Sequence, residues 1–136
     1  MDEATREALR KQSGSFCEYC RVPEQYDRLP FQPDHIIAQK HGGDSSAENL
    51  AWSCYDCNVF KGPNIAGIDP HRPGEPTPLF HPRKHSWEDH FRSKSGVIEG
   101  LTQEGRATVA TLRLNLDRRV AFRRALAQEG QYPLSG

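Results

Sequence analysis

Four cysteines stand in two matched C-x-x-C pairs, Cys17 with Cys20 and Cys54 with Cys57. Thiolates at this spacing can hold a tetrahedral zinc ion from two tight turns, and four of them leave no position open for water. The sequence shows no export signal, so we expect a cytoplasmic chain whose thiols stay reduced. The alternatives are a redox pair or four unrelated buried cysteines, and the matched spacing argues against both. The cysteines therefore predict a structural zinc site.

Between and just after the cysteine pairs lie side chains suited to phosphodiester hydrolysis. This reaction needs an activated water and a cation that stabilises charge on the phosphate. His35 is predicted to be the general base, because an imidazole titrates near neutral pH. Asp34 and Asn58 offer hard oxygen atoms, so we expect them to hold one Mg²⁺ or Mn²⁺ ion, with water and phosphate completing its coordination.

Four further residues are predicted to support this site. The amide of Asn49 is expected to bridge the loop that follows His35 to the strand that carries it, and so to set the direction of the imidazole. We group Asn49 with the catalytic residues for that reason, although it is a support and not a ligand. Gly42 and Gly43 allow the loop to turn tightly through positive φ angles. Lys61 is either a phosphate contact or a solvated charge near a helix end.

The order of these residues resembles the HNH endonuclease family. From Cys17 to Lys61, about a third of the chain, the cysteine pairs, Asp-His, Gly-Gly, Asn-Leu and Cys-Asn-x-x-Lys fall in register. The resemblance implies a ββα-metal nuclease with a four-cysteine zinc site, in which Asn49 orients the catalytic histidine. Asn58 stands where many family members have a histidine, and an amide is the weaker ligand.

The expected substrate is DNA, with RNA kept as an alternative. Two other readings stay open: a non-catalytic zinc module that binds nucleic acid or protein, and a subunit that is active only within a larger nuclease complex. A binding module has no need for Asp34, His35 and Asn58 together, which favours the enzyme. No apolar run approaches membrane-spanning length, and nothing indicates an oligomeric state.

DNA contacts must come from local charge, because 18 Lys and Arg balance 18 Asp and Glu. Arg83 and Lys84 are expected to lie along the DNA path. In residues 106–124, six arginines stand with one acidic residue. This stretch is either a phosphate-binding surface or a solvated helix face, and the sequence favours neither.

The elements that must position these residues follow from composition and pattern. Only 35% of the 136 residues are hydrophobic and the mean hydropathy is -0.79, which predicts a small core for one domain. We expect the α+β class, with a zinc-stapled, treble-clef-like ββα-metal core, an added hairpin and C-terminal helices. The expected parts of the single domain 1–136 are an HNH and zinc core at 15–63, a proline-rich wrapping segment at 64–90, and a hairpin with basic helices at 91–130.

Periodicity and capping residues predict where these elements begin and end. A first helix ends at Ser13-Gly14, strands occupy 29–37 and 49–53, and a helix occupies 55–61. The prolines in 64–82 predict a linker without regular structure. Beyond it we expect a hairpin turning at 94–96, a helix capped by Thr102, and a last helix starting at 116–117. The aromatic residues Phe80, Trp87 and Phe91 are expected to pack on the core.

Overall fold

The computed structural model describes residues 1–133, and residues 134–136 of the expected single domain lie outside this part. The helices are α1 (Glu3–Ser13), α2 (Tyr55–Lys61), α3 (Trp87–His90), α4 (Gln103–Thr111) and α5 (Asp117–Gln128). The strands are β1 (Gln32–His35), β2 (Leu50–Ser53), β3 (Ala66–Ile68), β4 (Pro76–Pro78), β5 (Phe91–Lys94) and β6 (Val97–Gly100). They form antiparallel pairs, β1 with β2, β3 with β4 and β5 with β6. The expected α+β class is confirmed.

The unit that carries the site consists of β1, β2 and α2. In the antiparallel register, Asp34 lies opposite Ala51 and His35 lies opposite Leu50. All residues of β2 are buried, so this strand runs through the core. α2 follows directly, with Cys54 as the N-cap residue whose sulfur accepts the N–H group of Cys57. The helix predicted at 55–61 is confirmed.

Both strands of this unit are shorter than their predicted ranges of 29–37 and 49–53. Pro30, just before β1, has no N–H group to donate to a ladder. At the other end, the backbone groups of Ile37 are hydrogen-bonded by the side chain of Asn49 instead of by a strand. The side chain of Asn49 thus takes the place of the strand-to-strand hydrogen bonds at Ile37, and β1 ends at His35.

α1 packs along the β1–β2 hairpin and ends where the sequence predicts. Gly14 takes the left-handed conformation at φ 78° and caps the last turn. The guanidinium groups of Arg6 and Arg10 lie 5.5 and 5.0 Å from the ring centre of Trp52, which is buried in β2. The helix therefore covers one side of the strand pair through cation–π contacts.

The prolines of residues 64–82 do not exclude regular structure, and that prediction was wrong. β3 and β4 pair with Ala66 opposite Pro78 and Ile68 opposite Pro76. A two-stranded ribbon is all edge, so a proline facing away from the partner strand costs no hydrogen bond. The ribbon packs on α4 at Gly67, where a Cβ atom would fall 2.0 Å from Oγ1 of Thr111. Close packing onto α4 therefore holds the ribbon in place.

The C-terminal third follows its predicted pattern of a hairpin and two helices. β5 and β6 pair over residues 91–100, and Thr102 caps α4 by accepting the N–H of Gly105. Arg123 of α5 is buried and donates to the carbonyls of Gly96 and Leu114 at 2.7 Å each. These bonds attach α5 to the turn of the hairpin.

The aromatic side chains before and in this hairpin pack on the core as expected. Phe80, Trp87 and Phe91 are all buried, and the rings of Phe80 and Phe91 lie edge to face at 5.2 Å. The indole N–H of Trp87 donates to the carbonyl of Tyr19 at 2.8 Å. Across residues 1–133, no helix combines the length and the apolar character needed to cross a membrane.

Candidate functional site

The four cysteine sulfurs converge on one point in the core. The ligand atoms of Cys17, Cys20, Cys54 and Cys57 all lie within 4.8 Å of one another, and no cysteine is more than 2% exposed. The sulfurs of Cys20 and Cys54 are 3.8 Å apart. A ZnS₄ tetrahedron with bonds of about 2.3 Å has edges of about 3.8 Å. The predicted four-cysteine cluster is confirmed, and its geometry fits zinc.

Backbone N–H groups and the thiols themselves set the charge in this cluster. The N–H groups of Tyr19 and Cys57 each lie 3.4 Å from the sulfur of the first cysteine of their pair. Hydrogen bonds from the other cysteines, first Cys17, place the pKa of Cys20 well below its ordinary value. The pKa values of Cys54 and Cys57 lie well above the ordinary value of a cysteine thiol, and the largest cause is hydrogen bonding with Cys17. Only a bound cation lets all four serve as thiolates.

Asp34, His35 and Asn58 line a single cleft of about 400 Å³. Adjacent strand residues point to opposite faces, and accordingly Asp34 is 5% exposed whereas His35 is half-buried. Both border the same cleft because β1 ends at His35, while Asn58 enters from α2. The structure thus brings the predicted chemical residues to one place. A carboxylate and an amide beside open space suit a cation that keeps several waters.

The ring of His35 is held through one nitrogen. Nε2 lies 2.9 Å from the hydroxyl oxygen of Ser45, in the loop between β1 and β2. This contact fixes the ring and leaves Nδ1 to accept a proton. Ser45 was missed by sequence reasoning, because a serine in a polar loop carries no pattern that distinguishes it from its neighbours.

Asn49 closes the loop on which Ser45 lies. Its Oδ1 accepts the N–H of Ile37 at 2.8 Å, and its Nδ2 donates to the carbonyls of Ile37 and Asp44 at 2.9 and 2.7 Å. A Cβ atom at Gly43 would lie 1.7 Å from the carbonyl oxygen of Ile37, so the approach requires glycine. This is the bridge from loop to strand that the sequence led us to expect.

The carboxylate of Asp34 is shared by two buried side chains. The hydroxyl of Tyr19 donates to Oδ2 at 2.6 Å. The ammonium of Lys61 lies 3.2 Å from Oδ2 and 3.4 Å from Oδ1. Burial raises the pKa of Asp34, while the charge of Lys61 and the bond from Tyr19 oppose that rise. Oδ1 has only the longer contact, so it retains lone pairs for a cation.

Lys61 does not face the solvent, contrary to both expectations for it. Its side chain is 1% exposed, and its ammonium also donates to the carbonyls of His35 and Ile36 at 3.0 and 3.1 Å. An ammonium has three protons to donate, and these contacts use them inside the protein. The predicted phosphate contact is therefore contradicted. Lys61 is buried because a buried carboxylate needs a counter-charge.

Arg83 is likewise engaged within the protein. It forms an ion pair with both carboxylate oxygens of Glu18 and donates to the carbonyl of Leu50 at 2.6 Å. Glu18 in turn accepts the N–H of Trp52 at 2.6 Å, so the pair joins the first cysteine pair to β2. The expected DNA contact of Arg83 is contradicted by these bonds. Lys84 is exposed and forms no ion pair within residues 1–133, so its DNA contact stays a prediction.

The arginines near the C-terminus attach α5 to the core. Arg118 donates to both oxygens of Asp56 at 2.7 and 2.9 Å, and this hydrogen bonding lowers the pKa of Asp56. Arg119 binds both oxygens of Asp27 at 2.9 and 3.1 Å. The predicted solvated face describes Arg118, whose side chain is 61% exposed, whereas Arg119 is 9% exposed and fits neither predicted alternative. The sequence could not show this, because their partners lie far away along the chain.

Comparison with known proteins finds one family to which the segment carrying this site is similar. Residues 17–64 match the family model described as HNH endonuclease. No curated protein and no solved structure gives a significant match to the chain. The matched residues contain the four cysteines, Asp34, His35, Asn49 and Asn58, and they span the unit of β1, β2 and α2. The resemblance seen in the sequence is confirmed, because residues 17–64 match the HNH endonuclease family model.

Proposed function

We propose that this chain is a metal-dependent endonuclease that hydrolyses the phosphodiester bonds of DNA. The observation that carries the proposal is the shared cleft of Asp34, His35 and Asn58, inside the segment that matches the HNH endonuclease family. A module that only binds DNA or protein gains nothing from a general base beside two oxygen ligands. The cleft therefore favours catalysis over binding alone.

His35 acts as the general base through Nδ1. It accepts the proton of a water that attacks the phosphorus, while Ser45 holds the opposite nitrogen at 2.9 Å. Asn49 and Gly43 fix the loop that carries Ser45, so the imidazole keeps its direction without touching the substrate. Ser45 thus orients the imidazole directly, and Asn49 and Gly43 hold Ser45 in place.

Asp34 and Asn58 hold Mg²⁺ or Mn²⁺ at the side of the cleft formed by β1 and α2. When bound, the cation stabilises charge on the phosphate and on the leaving oxygen. With only two protein ligands, the coordination sphere has room for water and for a phosphate oxygen.

The cysteine cluster holds a structural Zn²⁺. Its sulfurs are buried and closed to water, so the ion has no position for a substrate. Its role is to join the turn at Cys17–Cys20 to the start of α2, which carries Asn58 and Lys61. Removing the zinc ion is expected to unfold the segment that forms the catalytic cleft.

Contacts to the DNA backbone are proposed for two exposed lysines. Lys40 borders the cleft itself, and Lys84 lines a neighbouring groove with His81 and His85. Neither lysine forms an ion pair within the described residues 1–133. Both lysines are therefore available to contact phosphate groups of the DNA backbone.

The test is cleavage of supercoiled and linear DNA in Mg²⁺ or Mn²⁺, with a chelator control. His35→Ala is expected to reduce the cleavage rate about 10²- to 10⁴-fold, the usual loss for a general base. His41→Ala is the matched control, because His41 is an exposed histidine in the loop after β1 and is expected to retain the wild-type rate. Equal rates for wild type and His35→Ala would refute the assignment. An RNA substrate run beside the DNA decides the class of nucleic acid.

A further inference from the structure

One residue connects the cysteine cluster to the cleft. Tyr19 lies between Cys17 and Cys20 and is fully buried. Its backbone N–H lies 3.4 Å from the sulfur of Cys17, and its hydroxyl lies 2.6 Å from Oδ2 of Asp34. The same residue therefore contacts a cysteine ligand with its backbone and the carboxylate with its side chain.

A second residue reaches Asp34 from the other cysteine pair. Lys61 is in α2, the helix that begins immediately after Cys54. Its ammonium contacts both oxygens of Asp34 and the carbonyl of His35. The carboxylate is thus held from two directions, and each contact originates on an element fixed by one cysteine pair.

The chemistry of Tyr19 is not explained by packing alone. A phenylalanine would fill the same buried space and would bring no hydroxyl that must be satisfied. The bond at 2.6 Å has the length of a charge-assisted O–H···O⁻ hydrogen bond. The hydroxyl group therefore directs the carboxylate.

We infer that Tyr19 and Lys61 are positioning residues for the divalent cation: they fix the Asp34 carboxylate, and they link the filling of the cysteine cluster to the affinity of the cleft for Mg²⁺ or Mn²⁺. This inference rests on the proposed function, which makes Asp34 a ligand of that cation. Hydrogen-bond partners that orient a ligating side chain are commonly worth 10- to 100-fold in metal affinity.

The experiment measures Mn²⁺ binding to the full zinc-loaded chain without DNA, by the electron paramagnetic resonance signal of free Mn²⁺. Tyr19→Phe is expected to weaken binding about 10- to 100-fold, with unchanged zinc content and a melting temperature lowered by only a few degrees. Tyr55→Phe is the matched control, because Tyr55 is 52% exposed and its hydroxyl forms no hydrogen bond within residues 1–133. Asp34→Asn shows how much of the Mn²⁺ binding belongs to the cleft.

Cleavage kinetics give a second readout that a merely structural defect would not produce. The rate of Tyr19→Phe at saturating Mn²⁺ is expected to approach that of wild type, with the midpoint moved to higher Mn²⁺. Lys61→Met separates two physical effects by sign: loss of positioning weakens Mn²⁺ binding, whereas loss of charge repulsion alone tightens it. Tighter binding would therefore overturn the role of Lys61.

Equal Mn²⁺ affinity in wild type and Tyr19→Phe would overturn the role of Tyr19. Failure of the proposed function gives a different result. In that case wild type binds Mn²⁺ in a manner that depends on Asp34 and Tyr19 but cleaves no nucleic acid, and the positioning inference stands.

Discussion

The replacement Asn49→Ala tests whether one side chain holds the loop of the candidate site. The side chain is buried, and it makes three hydrogen bonds of 2.7 to 2.9 Å to backbone groups of Ile37 and Asp44. Each such bond contributes about 1 kcal/mol net, so losing three lowers the free energy of unfolding by about 3 kcal/mol. That is a large share of the stability of a small domain.

The assay is urea unfolding at a fixed, saturating concentration of free zinc, because metal bound to the folded state shifts apparent stability. With a urea dependence of about 1–3 kcal/mol/M, the midpoint is expected to fall by roughly 1–3 M. Asn64→Ala is the matched control, since Asn64 is exposed and its side chain forms no hydrogen bond within residues 1–133. Its midpoint is expected to stay within a few tenths of a molar of wild type.

The same variant also tests the link from loop to chemistry. In conditions where Asn49→Ala is fully folded, the loop that carries Ser45 has lost its bridge, so the imidazole of His35 loses its fixed direction. We expect cleavage to fall at least tenfold while zinc stays bound. A variant with wild-type stability and wild-type cleavage would refute the bridging role of Asn49.

Three further predictions follow from buried contacts. Cys54→Ser is expected to lower zinc content below one ion per chain and to unfold the domain, as read by atomic absorption and circular dichroism. Arg83→Met leaves Glu18 buried without its partner, so it is expected to lower the free energy of unfolding in urea by about 3 kcal/mol. The salt dependence of DNA binding is expected to stay the same. A changed salt dependence with unaltered stability would show instead that Arg83 contacts DNA. Burial raises the pKa of Tyr132, so its contribution to stability is full below about pH 10 and falls as the pH rises. The fall in unfolding free energy between pH 8 and 11 is expected to be smaller in Tyr132→Phe, and an identical fall would contradict this.

The features that the sequence predicted best are those that depend on neighbours along the chain. The helix at 55–61 is bounded by Cys54, which caps it, and by Gly62, which ends it, and both signals are local. The cysteine cluster was predictable because each pair carries its own spacing. The resemblance to the HNH endonucleases added the order of Asp34, His35 and Asn58, which the structure brings to one cleft.

The contacts that the sequence could not predict join residues far apart in the chain. Arg83 and Glu18 are 65 residues apart, and nothing near either one indicates the other. The ion pair of Lys61 with Asp34 spans 27 residues and exists only because α2 packs against β1. The sequence around Arg83 and Lys61 is compatible with solvent exposure, so Arg83 was predicted to contact DNA and Lys61 to be either a phosphate contact or a solvated charge.

The pairing of arginines with carboxylates inside this protein has a consequence for how it would hold DNA. Within residues 1–133, seven arginines form ion pairs with acidic residues of the same chain. Binding that relies on two lysines such as Lys40 and Lys84 would release few counterions, and the logarithm of affinity would fall with the logarithm of salt with a slope of about -2. A fourfold rise in salt would then lower the affinity for DNA by about 16-fold, far less than for a protein that makes many phosphate contacts.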